Sequence, residues 1–174
     1  MFNKKVFILS LLSIATIFPS SRTQSNTPLI CSEKLTIHGN EDITITEEKR
    51  FVIIIPSYNN ECWCIQNIES AVHQGYNPNK FRVIFIDDCS RDNNYNLVKN
   101  YVEQNNLESR VTLIRNKQRI GGCANIHRAV HMCDDDEICL ILDGDDWFPD
   151  ATVLTFLNKV YQEDVWMTYG QYIT

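Results

Sequence analysis

Phe51-Val52-Ile53-Ile54-Ile55 is an unbroken apolar run, mostly β-branched, stopped by Pro56. Runs of the same kind return at Val83–Ile86, Val111–Ile114, Ile138–Leu142 and Val165–Tyr169. A strand that is apolar on both faces must be covered on both faces, which is the condition of a strand inside a parallel sheet flanked by helices. The intervening segments carry a helical period. Ile65, Ile68, Ala71 and Val72 follow the capping candidates Asn59-Asn60, and Leu97, Val98, Tyr101 and Val102 form a second stripe. Ile126, Ala129 and Val130 follow Gly121-Gly122, and Val153, Leu154, Leu157 and Tyr161 follow Asp150 as a capping residue. Strand–helix alternation of this kind predicts βαβ units with right-handed crossovers and an α/β fold.

The alternation begins only at residue 50. Asn3-Lys4-Lys5 precedes an apolar run from Val6 to Phe18, short of the roughly 20 residues a membrane span needs. It fits the apolar region of a signal peptide, with an uncleaved anchor as the alternative. Residues 1–25 are therefore expected to be a signal peptide or N-terminal anchor, 26–49 a linker, and 50–174 the folded domain. This places the chain in the secretory pathway or on a membrane, with the side left open. The net charge of −6 argues against a nucleic-acid partner. Seven cysteines include no Cys-x-x-Cys pair, and Cys64 and Cys139 fall in apolar patterns as core residues. His127 and His131, four apart, lack a third metal ligand and read as a surface face. The acidic run Asp134–Glu137 reads as a solvated loop.

The polar residues collect at strand ends. The first run ends in Pro56-Ser57-Tyr58-Asn59, the second in Asp87-Asp88-Cys89-Ser90 and the fourth in Asp143-Gly144-Asp145-Asp146. Each cluster alone also reads as an ordinary turn or loop. Open parallel sheets, however, bind ligands beyond the carboxyl ends of their strands, where strand order reverses. If the three strands are near neighbours, the clusters line one crevice. Tyr58 offers a flat face to a nucleobase, and Asp88 an acceptor for a base N–H. Three carboxylates in four residues repel one another, and Mg²⁺ or Mn²⁺ held against a diphosphate would relieve them.

In order and spacing, Phe51-Val-Ile-Ile-Ile-Pro-Ser-Tyr-Asn59, Val83-Ile-Phe-Ile-Asp-Asp-Cys-Ser90 and Leu142-Asp-Gly-Asp-Asp146 resemble family 2 glycosyltransferases of the GT-A fold. The resemblance runs from Phe51 to Tyr169. It implies a Rossmann-like, mostly parallel sheet with flanking helices, and a nucleotide-sugar donor, usually a UDP-sugar, bound with Mg²⁺ or Mn²⁺. By position, Pro56, Ser57 and Tyr58 would frame base and ribose, and Asp87 and Asp88 would belong to the same nucleotide-binding set, with Asp88 at the base. Asp143 would lie by ribose and metal, and Asp145 would be the principal metal ligand. Arg119, in the loop and helix start Asn116–Asn125, would approach the diphosphate.

The implied reaction is an inverting transfer. An acceptor hydroxyl, on a glycan, lipid or protein, attacks the anomeric carbon after giving its proton to a general base. In the family that base and the acceptor half follow the D-x-D motif at a distance, so the chain is expected to be a truncated domain. Glu163 and Asp164 do not match the base position, and no catalytic residue is assigned. A non-catalytic nucleotide-binding module stays open as the alternative. A receiver-type signalling domain would need its acidic pair after the first strand and a lysine after the last, and neither is present. Trp147 is read as either covering the sugar site or packing, and Trp63 and Trp166 as packing residues.

Overall fold

Residues 45–170 and the backbone of one strand at 6–9 are described by a computed structural model. The strands are β1 (Val6–Leu9), β2 (Arg50–Ser57), β3 (Phe81–Asp87), β4 (Val111–Arg115), β5 (Glu137–Leu142) and β6 (Met167–Tyr169). The helices are α1 (Cys64–Val72), α2 (Asn94–Gln104), α3 (Gly122–Val130) and α4 (Val153–Val160), with a 3-10 turn at Pro78–Lys80. Each expected apolar run from residue 50 onward became a strand.

The sheet order is β4-β3-β2-β5-β1-β6, and every pairing is parallel. From β2 the chain steps outward to β3 and β4, then returns to pair β5 with the other side of β2. The order therefore reverses between β2 and β5. The inner strands divide their side chains by the two-residue pleat. Phe51, Ile53, Ile55, Val83, Phe85, Leu140 and Leu142 pack with α1, α2 and α4. Val52, Ile54, Ile84, Ile86, Cys139 and Ile141 pack with Ala129 of α3 and with Cys133. Both faces are thus covered, as the unbroken runs require. Full burial of each such side chain contributes about 1.5–3 kcal/mol.

Several boundaries differ from expectation. α1 starts at Cys64, because the carbonyl of Asn60 first closes a turn by accepting from the amides of Trp63 and Cys64. Asp150 does not cap α4 directly. Its carboxylate holds the amide and hydroxyl of Thr152, which is the N-cap. The last strand begins at Met167, since Val165 is drawn into a turn by its bond to the Glu163 carbonyl. Trp166 is 64% exposed and does not pack in a core.

The acidic run also needs correction. Asp134–Asp136 are exposed, but Glu137 is buried and takes two bonds from Arg82, at 2.9 and 2.8 Å. Arg50 joins it at 3.3 Å and also binds Asp136. This network ties the amino ends of β2, β3 and β5 together.

At the N-terminus, Val6–Leu9 is a strand between β5 and β6. The rest of the segment read as a signal peptide or anchor, and of the linker up to residue 44, lies outside the described residues. Thr46, Glu47 and Lys49 are fastened to Gln162 and Asn158, at the end of α4 and just beyond it. Among the described residues no helix is long and apolar enough to cross a membrane.

Candidate functional site

The reversal of strand order brings the carboxyl ends of β2, β3 and β5 side by side. Hydrogen bonds continue past the strands: Asp88 N–H donates to Ser57 O at 2.8 Å, and Gly144 N–H to Pro56 O at 3.2 Å. A crevice of about 290 Å³ opens there, lined by Pro56, Ser57, Tyr58, Asn60, Asp88, Arg119, Gly122, Asn125, Asp143, Gly144 and Asp145. Six of the seven residues expected at the nucleotide thus share one surface, together with Asp145. Asp87 does not line it. Its carboxylate is fully buried behind the crevice, accepting from Ser90 N–H and Asn94 Nδ2, with Arg115 Nε at 3.5 Å. Asp87 joins β3 to the start of α2 and supports the crevice from beneath.

Asn59 and Cys89, the residues after Tyr58 and Asp88, are left-handed, with φ of 55° and 63°. Such φ values are uncommon for residues other than glycine, and for Cys89 they carry strain. The two turns are stitched together by Asn59 N–H to Ser90 Oγ and Arg91 N–H to Asn59 Oδ1.

Asp88 holds the loop before α3. Its Oδ1 accepts from Asn116 Nδ2 at 2.8 Å and Ile120 N–H at 2.9 Å, and its Oδ2 from Gly121 N–H at 2.8 Å. Burial pushes its pKa up, but the donors of Ile120, Asn116, Asn125 and Gly121 outweigh burial and hold it below the ordinary carboxylate value. Asn125 Nδ2 itself is buried and completes no hydrogen bond. Arg119 covers the Tyr58 ring at 3.9 Å.

On the acidic side, burial first and Asp145 second push the Asp143 carboxyl up. Burial, Asp145 and Asp143 push Asp146 up to about 6. Asp146 Oδ2 is buried with no partner. Excess negative charge and an orphaned oxygen are what a hard cation would relieve. Among the described residues no three His, Cys, Asp or Glu side chains converge on one point. That still suits Mg²⁺, which is commonly held by one or two carboxylates and completed by substrate phosphates and water.

A second concavity of similar volume lies at the amino ends of the strands, near Arg50, Lys80, Arg82 and Arg110. There Arg50 and Arg82 are already paired with Glu137, Asp134 and Asp136.

The family model for "Glycosyl transferase family 2" matches residues 52–174. The chain belongs to glycosyltransferase family 2. An uncharacterized glycosyltransferase of Haemophilus influenzae is 31% identical over 120 residues, 69% of this chain and 46% of that protein. The mannosyltransferase PcManGT of Pyrobaculum calidifontis, solved with GDP-Man and Mn²⁺, superposes with a TM-score of 0.64 at 23% identity. That match covers 71% of this chain and 35% of the other, and it establishes the GT-A fold. Staphylococcus aureus TarS 1-349 with UDP-GlcNAc gives a TM-score of 0.53 at 25% identity, covering 62% and 30%. The chain thus spans less than half the length of each of these relatives.

Three further residues, Asn67, Asn125 and Gly144, support the crevice. Asn67 of α1 is fully buried, and its Nδ2 donates to the carbonyls of Asp143, at 2.9 Å, and Asp146, at 2.7 Å. An asparagine in core phase between Cys64 and Ala71 is the sequence signal for it. Asn125, in phase with Ala129, accepts from Asn116 at 2.8 Å. Gly144 is a packing requirement: a Cβ there would lie 2.5 Å from Ser57 Oγ and 2.7 Å from Ser57 Cβ.

Proposed function

We propose that the crevice binds the nucleotide-diphosphate of a UDP-sugar together with a divalent cation, as the donor site for inverting transfer to an acceptor hydroxyl. The observation that carries this reading is the meeting of Tyr58, Asp88 and the Asp143–Asp145 pair around one crevice. Tyr58 offers the base its ring, and Asp88 its remaining acceptor. An ionised carboxylate has about four lone-pair sites, and three here already accept from the chain. The one left, on Oδ2, suits the single imide N–H of uracil better than the two adjacent donors on guanine's edge.

Asp143 and Asp145 would hold Mg²⁺ or Mn²⁺, which when bound supplies Lewis-acid stabilisation of the leaving diphosphate. Arg119 lines the same crevice and would add a second positive charge. Among the described residues, the crevice carboxylates are Asp88, committed to its loop, and Asp143 and Asp145 of the acidic pair. These residues account for donor binding and orientation. None is left to take the acceptor's proton, so a nucleotide-binding module without transferase activity is the second reading.

Thermal melting with UDP and GDP, each with Mn²⁺ or with EDTA, tests donor binding. A ligand at about 100 times its Kd stabilises by about 2.7 kcal/mol. UDP with Mn²⁺ should raise Tm clearly and GDP less, with EDTA abolishing most of the shift. No UDP shift, or one indifferent to EDTA, would refute the reading. Release of sugar from UDP-glucose or UDP-GlcNAc separates enzyme from binding module.

A further inference from the structure

Two tryptophans stand beside the acidic end of the crevice. The indoles of Trp63 and Trp147 pair at 5.9 Å between centroids, tilted by 30°. Trp63 is nevertheless 48% exposed and Trp147 41%. Trp147 lies two residues beyond Asp145, and Trp63 one turn beyond Asn60, both of which line the crevice.

The pair is not what holds this region together. Asn67 clasps the carbonyls of Asp143 and Asp146, Phe148 N–H donates to Ser70 Oγ at 3.1 Å, and the Phe148 side chain is buried. Trp63 N–H donates to the Asn60 carbonyl. Both backbones are anchored by other groups while the two indoles remain half in water. Two adjoining half-exposed indoles leave aromatic surface open to a ligand.

We propose that Trp63 and Trp147 form a stacking platform for a hexopyranose ring of gluco configuration. This rests on the donor reading above. An equatorially substituted pyranose presents a face of C–H groups, which suits the electron-rich face of an indole. Its hydroxyl rim needs hydrogen-bond acceptors, and Asp145 is adjacent. A diphosphate held at Asp143 and Asp145 would lie within reach of this pair, so that its glycosyl group or an arriving acceptor sugar could cover the indoles. The exposed carboxylate of Asp145, two residues from Trp147, disfavours an anionic lipid surface as the occupant.

The indole N–H signals of Trp63, Trp147 and Trp166 in the full chain provide the test, assigned with single Trp→Phe variants. UDP-glucose and UDP-GlcNAc, each compared with UDP in the presence of Mn²⁺, report the donor sugar. Cellotetraose, added with and without UDP and Mn²⁺, reports the acceptor sugar. At least one sugar should shift the Trp63 and Trp147 signals and leave Trp166 in place. Trp147→Ala should weaken that sugar's binding at least fivefold at unchanged UDP affinity, and Trp147→Phe should restore most of it. The proposal fails if no sugar moves the pair, if Trp166 responds equally, or if Trp147→Ala binds all sugars normally. It also fails if the pair's signals shift with protein concentration alone, which would make the occupant a second copy. If UDP itself does not bind, the donor reading falls, and cellotetraose without nucleotide still decides the platform.

Discussion

Arg119 sits over the ring of Tyr58, with its guanidinium carbon 3.9 Å from the centroid and its Nε 4.0 Å from Asp88 Oδ2. It therefore occupies both groups assigned here to the nucleobase. A base that stacks on this face of Tyr58 must displace the guanidinium, freeing its charge for the diphosphate. An exposed cation–π contact is worth about 0.5–1 kcal/mol, so displacement is cheap. Arg119→Ala should bind uridine as well as the native chain or up to a few fold better, but UDP more weakly. Calorimetry with both ligands checks this. Equal weakening for uridine and UDP would show that Arg119 supports the base site itself.

Gly144 allows the ends of β2 and β5 to touch. Gly144→Ala pushes a methyl group into Ser57 Oγ and Cβ, and overpacking of this kind costs about 1–3 kcal/mol. Urea denaturation should show that loss, together with weaker UDP binding because Ser57 and Asp143 are driven apart. Native stability in the variant would mean that the strand ends yield easily.

Asp145 is exposed and accepts no hydrogen bond among the described residues. Asp145→Ala should leave stability within about 0.5 kcal/mol of native while removing the Mn²⁺-dependent part of the UDP melting shift. A Mn²⁺ response of native size in this variant would exclude Asp145 as a ligand.

Glu137 sets an acid limit on the other end of the sheet. Burial raises its pKa, but the Arg82 hydrogen bonds, the Asp134 amide and the charges of Arg82 and Arg50 hold it below the ordinary 4.5. Its charged form is therefore favoured by folding. The stability it contributes is complete above about pH 4.5. That contribution is lost as pH falls through the lower folded-state value. Glu137→Gln should cost about 1–3 kcal/mol at pH 7 and flatten the decline of Tm between pH 5 and 3. A decline as steep as in the native chain would place the acid sensitivity elsewhere.

The inner strands and the helices between them were legible because their signals are local. Ile53 and Ile54 announce cover on two faces without reference to any other segment. Helix starts were less so: α1 waits for the turn that Asn60 closes, and the Asp150 cap acts one step early through Thr152. At the site, Tyr58, Asp88, Asp143 and Asp145 stood out as polar residues at strand ends. Asp87 stood out equally, yet it supports α2 beneath the crevice, since adjacent strand residues point to opposite sides. Asn67 and Gly144 were missed, one hidden in an apolar helix face and the other in a motif read only for its carboxylates.

By itself the sequence determined a parallel α/β sheet with polar strand ends, because pleat period, helical period and turn chemistry are properties of short segments. Only the tertiary structure decided that β2 lies between β3 and β5, that Arg119 covers Tyr58, and that Trp63 meets Trp147 in the open. Those relationships depend on hydrogen bonds and contacts between segments far apart in the chain, whose pairing no local pattern specifies.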